Sequence, residues 1–86
     1  MDKASELGEL SKAIETMSHT VGTLKAAIAS ATMARSYLPL EGKTKEMNDI
    51  LEKFKHVRQT LKALKDDLEN LTVDVQDEYY TIMGEK

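Results

Sequence analysis

Apolar residues recur at alternating steps of three and four along most of this chain. In the first half the row is Leu7, Leu10, Ile14, Met17, Val21, Leu24, Ile28 and Ala31. In the second it is Met47, Ile50, Phe54, Val57, Leu61, Leu64, Leu68, Leu71 and Val75. An α-helix turns once in ~3.6 residues, so this spacing draws an apolar stripe down one side of a helix. A strand needs sustained alternation with period two, which neither half shows. Glu78 interrupts the second row and Ile82 resumes it. The pattern predicts an all-α chain of two long amphipathic helices of coiled-coil type.

Between the rows lies Pro39-Leu40-Glu41-Gly42-Lys43-Thr44. Proline disfavours helix at the residue before it, glycine supplies a flexible or left-handed position, and threonine caps a following helix. The expected elements are helix 1 at about residues 4–37, a turn at about 38–44 and helix 2 at about 45–83, together one helical-hairpin domain over residues 1–86. So short a connection makes the helices antiparallel neighbours. A reversal about Gly42 and Lys43 pairs Leu24 with Leu61, Ile28 with Val57 and Ala31 with Phe54. It also pairs Val21 with Leu64, Met17 with Leu68, Ile14 with Leu71 and Leu10 with Val75. The expected intrachain seam is therefore Leu10, Ile14, Met17, Val21, Leu24 and Ile28 against Phe54, Val57, Leu61, Leu64, Leu68 and Leu71.

A hairpin of 86 residues buries one side of each helix. Chains near this size build cores worth only a few kcal/mol, ~3–5. Beside the first row, Ala13, Thr20, Ala27 and Ala34 repeat every seventh position, and from Thr16 to Ala34 the only formal charge is Lys25. A seam with such a flank is wide enough for two neighbours, as in a four-helix bundle or larger helical assembly. Ala13, Thr20, Ala27 and Ala34 are the expected self-association or partner interface. At the open end Tyr79, Tyr80, Ile82 and Met83 follow within one and a half turns, where helix 1 is expected to have run out. Tyrosine combines apolar area with a polar tip, so these four residues form an expected partner site.

Charge is divided along the second helix. Residues 43–65 hold seven basic and three acidic side chains, and residues 66–85 hold seven acidic and no basic ones. The whole chain carries a net −3, a poor basis for binding nucleic acid or an anionic membrane. It has no apolar run of ~18 residues and no N-terminal secretion signal, so no membrane insertion and a cytoplasmic location are expected, with signal-less export left open. There is no cysteine, hence no disulfide or thiol chemistry.

Chemical motifs are sparse. Glu41-Gly42-Lys43-Thr44 echoes the end of a phosphate loop, but Tyr37 stands where the motif needs its first glycine. Glu15 with His19 and Glu52 with His56 each place two metal-ligand types on one helical face, outside the apolar rows and too far apart to share an ion. Asn70-Leu71-Thr72 matches a glycosylation signal in the middle of a helix. No nucleophile–base pair or carboxylate dyad stands out. No catalysis, cofactor or metal is expected.

The expected function is a non-catalytic protein-interaction subunit, partnered by itself or by a heterologous helical protein. The alternative is a dimeric hairpin that binds structured RNA through the basic faces around Lys53, Lys55, Arg58, Lys62 and Lys65. The architecture resembles the small hairpins of plasmid copy-number RNA-binding proteins, secretion-needle subunits and their chaperones, and subunits of cytoskeletal or tethering complexes. No motif selects among them.

Overall fold

In the computed structural model, which describes residues 2–84, two helices form an antiparallel hairpin. Helix α1 spans Lys3–Ser36 and helix α2 spans Lys45–Met83. Both start on side-chain caps. The Asp2 carboxylate accepts from the Ser5 N–H at 2.7 Å, and the Thr44 hydroxyl accepts from the Met47 N–H at 3.1 Å. Each cap satisfies one of the backbone donors that a helix start leaves unpaired.

The connection is held by polar contacts. The Arg35 guanidinium donates to the carbonyls of Leu38 and Pro39, at 3.4 and 3.1 Å. The Gly42 N–H donates to the Asn48 side chain at 2.9 Å. Gly42 does not adopt a left-handed backbone; no described glycine has positive φ. Its need for a bare Cα is steric, because a Cβ there would lie 2.8 Å from the Asn48 amide nitrogen, the Asn48 Oδ1 and the Met47 Cβ.

The register differs from the one expected by about one heptad. Lys25 pairs with Glu69 at 3.6 Å, whereas the expected alignment would set Lys25 level with Thr60, roughly 13 Å away along the rod. Val21 and Thr72 flank one depression, and Ile14 shares another with Tyr79. The physical reason lies in the connection. It is not a tight reversal at Gly42; Leu40 and Glu41 lie beside Asn48, Leu51 and Glu52, so the linker follows the first turns of α2. The first turns of α2 therefore project past the end of α1. At the other end α1 overhangs α2, and the molecule extends 66 Å, longer than the ~58 Å of α2 alone.

The interior is shallow. Among the described residues only Val21, Thr72 and Ile82 are buried, at 8, 7 and 5% exposure. The Thr72 hydroxyl is satisfied by donating to the Leu68 carbonyl at 2.7 Å. Leu7, Leu10, Ile14, Met17, Leu24, Ile28 and Ala31 of α1 are half-buried against α2.

Candidate interaction surface

On α2 the residues turned toward α1 are Met47, Leu51, Phe54, Arg58, Leu61, Lys65, Leu68, Thr72, Val75, Tyr79 and Ile82; all are buried or half-buried. This is again a 3–4 alternation, but it is not the expected row. It keeps Met47, Phe54, Leu61, Leu68 and Val75 at its centre and replaces the flank Ile50, Val57, Leu64, Leu71 with the flank Leu51, Arg58, Lys65, Thr72, Tyr79. The helix is rotated by about 50° from the expected facing. Val57, Leu64 and Leu71, expected in the intrachain seam, are instead 50, 52 and 53% exposed, and Ile50 is 44% exposed. The substitute flank closes on α1 because its charged members bring aliphatic stems. Lys65 packs its stem while its ammonium reaches Asp66 at 3.0 Å and Glu69 at 3.6 Å. The bond to Asp66, followed by the pull of Glu69, raises the Lys65 pKa.

The two long faces of the hairpin differ. Seen down α1 from its N-terminus, successive residues run clockwise; α2 comes the other way and runs anticlockwise. The flank Ala13, Thr20, Ala27, Ala34 of α1 and the flank Ile50, Val57, Leu64, Leu71 of α2 therefore open on the same side. Lys25, Glu69 and the basic side chains Lys55, Arg58 and Lys62 open on the other. Ala13 and Ala27 are half-buried, and Thr20 and Ala34 are exposed. The Thr20 hydroxyl donates to the Thr16 carbonyl at 2.9 Å, so it presents mainly its methyl group. Ile50, Phe54 and Val57 line a shallow apolar depression with the stem of Lys53 at its edge. The result is a strip from Ile50 to Leu71 in which half-exposed apolar side chains recur at every seventh residue, instead of being scattered singly.

The polar face carries a basic group. Lys55, Arg58 and Lys62 surround Ile28 and Gln59, and Arg35, Lys55 and Arg58 border the neighbouring depression with Glu41 and Glu52. The Arg58 Nε is enclosed without a hydrogen-bond partner.

The open-end site is divided. Ile82 is among the most buried residues, and Tyr79 packs beside Ile14, Ser11 and Gln76. Both leave the expected partner site, because the shifted register carries α1 alongside α2 to this level. Tyr80 at 63% and Met83 at 51% remain exposed, and the Tyr80 ring meets Tyr79 edge-on at 5.6 Å between centroids. Glu15, His19, Glu52 and His56 all face solvent, and the described residues hold no group of three or more His, Asp or Glu placed for a metal. No described helix is long and apolar enough to cross a membrane.

Fold and surface together define an antiparallel helical hairpin with one uncovered apolar face. Compared with family models, with curated proteins and with solved structures, the chain matches none. The exposed row on α2 is the element that periodicity alone missed. Its residues stood in the expected row, but their outward facing left no signal, because the row that replaces them, Leu51, Arg58, Lys65, Thr72 and Tyr79, is largely polar.

Proposed function

We propose that this chain is a non-catalytic interaction subunit that acts by presenting its apolar hairpin face to another helical surface. One observation carries the reading: Ile50, Val57, Leu64 and Leu71 stand in a straight row, each about half exposed, beside the small residues Ala27 and Ala34. Burying what remains open of four such side chains is worth on the order of 1 kcal/mol each. Small residues alongside let a neighbouring helix come close. The acidic open end and the basic half near the linker give the face a polarity that orients whatever docks on it. Such a face does not choose among the narrower identities of secretion, tethering or cytoskeletal subunit, or of a chaperone to one.

The test is association after charge is placed on the strip. Leu64→Glu and Ala27→Glu should each lower the oligomeric mass or abolish partner binding, because a carboxylate enclosed there has no counter-ion. Unchanged association in both variants would sink the reading.

A second reading has its own observation. Lys55, Arg58 and Lys62 cluster on the polar face, as an RNA-binding hairpin would need. It predicts binding to structured RNA that weakens steeply with salt. A flat titration at low ionic strength would remove it.

A further inference from the structure

We propose that the occupant of the apolar face is a second copy of this chain, packed antiparallel so that α2 lies on α2 of the partner about a two-fold axis near Leu61. The inference rests on the interaction reading above and names its partner.

Three features of the face point to itself as its complement. The first is the row. In an antiparallel pair Ile50 meets Leu71 of the partner subunit and Val57 meets Leu64 of the partner subunit. The central row follows, with Phe54 against the partner's Leu68 and Leu61 close to the axis. Every apolar layer from Met47 to Val75 finds an apolar layer. Sliding by one heptad sets Ile50 against Glu78 in one direction and Leu71 against Lys43 in the other, so a single register satisfies the whole row. A two-fold interface requires this self-complementarity.

The second feature is charge. The outer rim of the strip carries Lys53, Thr60, Asp67 and Asp74, spaced by seven and all exposed. Reversal about Leu61 brings Lys53 beside Asp67 of the partner subunit, twice per dimer. The basic half of α2 then lies over the acidic half of its partner, whereas a parallel arrangement would gather the acidic ends. At the limits of the seam Glu46 approaches Asp74 of the partner subunit, with Lys43 and Lys45 near Glu46 in sequence.

The third is size. The matched rows run about 42 Å and are one helix diameter wide, ~10 Å. At the level of the axis α1 contributes Ala27, Ala31 and Ala34, small enough for the two copies of α1 to approach. Over both chains the covered area is on the order of 1,000 Å², where specific interfaces begin to be stable.

The experiment uses the full chain, which has no native cysteine to interfere. Chains carrying Val57→Cys and Leu64→Cys are prepared separately, mixed and oxidised. The mixture should give a disulfide-linked dimer and neither chain alone should. In parallel, sedimentation gives the dissociation constant of Lys53→Asp, which should be weakened roughly tenfold across its two contacts. Lys53→Asp with Asp67→Lys should restore it. These positions are roughly 21 Å apart in one chain, so rescue reports a contact between chains. A dimer that neither cross-links in the mixture nor is rescued by the charge swap overturns the antiparallel packing but leaves the face as an interface. A chain that stays monomeric at high concentration overturns the second copy as occupant. A dimer indifferent to both Leu64→Glu and Ala27→Glu overturns this inference and the interaction reading together.

Discussion

The rotation of α2 makes a sharp claim about which leucines and isoleucines hold the hairpin together. Ile82 is 5% exposed and Leu64 is 52% exposed, the reverse of the expectation that set Leu64 in the seam and Ile82 in an open partner site. Truncating Ile82 to Ala removes buried methyl and methylene groups and leaves a gap that the neighbours fill only in part. Such changes cost ~2–5 kcal/mol, and the thin interior here puts the value near the lower end. Truncating Leu64 to Ala in the single hairpin forfeits only the half of the side chain that is covered. Water fills the space, so the loss is about 1 kcal/mol. Urea unfolding followed by circular dichroism, at the lowest concentration where the chain is still helical, compares the two. Ile82→Ala should lower stability by at least twice as much as Leu64→Ala. At high concentration the Leu64→Ala deficit should grow, because the exposed half of the side chain is then covered by a partner. If Leu64→Ala costs as much as Ile82→Ala in the dissociated chain, Leu64 lies inside the hairpin and the facing described for α2 is wrong.

Gly22 lies inside α1, and a Cβ there would meet nothing within 4 Å beyond its own helix backbone, so Gly22→Ala should raise stability by about 1 kcal/mol and Tm by several degrees; an unchanged melting curve would contradict the open surroundings. Gly42→Ala should destabilise the chain by ~1–3 kcal/mol, since its Cβ would collide with Asn48 and Met47 at 2.8 Å, and faster amide exchange in the first turn of α2 would locate the damage. Asp2 has its pKa lowered below 3.8 by the bond from the Ser5 N–H, so the cap's contribution is complete above that pH and is lost as pH falls through the depressed folded value. Asp2→Ala should therefore flatten the acid limb of Tm against pH, and an identical acid limb would rule out the cap. Lys65, raised above 10.5 first by its bond to Asp66, contributes below that pH and loses its contribution as pH rises through the folded value, so Lys65→Met should flatten the alkaline limb.

Much of the molecule was legible in its residues. The 3–4 spacing defines two helices, and Pro39, Gly42 and Thr44 mark where the chain turns, because local stereochemistry acts over a few residues and leaves its trace there. The row Leu10 to Ala31 lies toward α2 as expected, because every large apolar side chain of α1 except Met33 falls in that row or extends it at Leu7, although small uncharged residues beside it leave the helix only weakly amphipathic. On α2 the same reasoning selects the wrong flank. The central row of Phe54, Leu61 and Leu68 is common to both facings, but apolar periodicity selects the flank of Leu64 and gives no weight to the stems of Arg58 and Lys65, which cover α1 instead. Tertiary structure made that choice through the linker. Where Arg35 ties the carbonyls of Leu38 and Pro39, and Asn48 ties Gly42, the chain enters α2 about a heptad out of the expected register. That shift places Lys25 beside Glu69, draws Ile82 into the interior and turns Val57, Leu64 and Leu71 outward. Helix formation depends on near neighbours in sequence, whereas register and facing depend on contacts between residues forty and more positions apart.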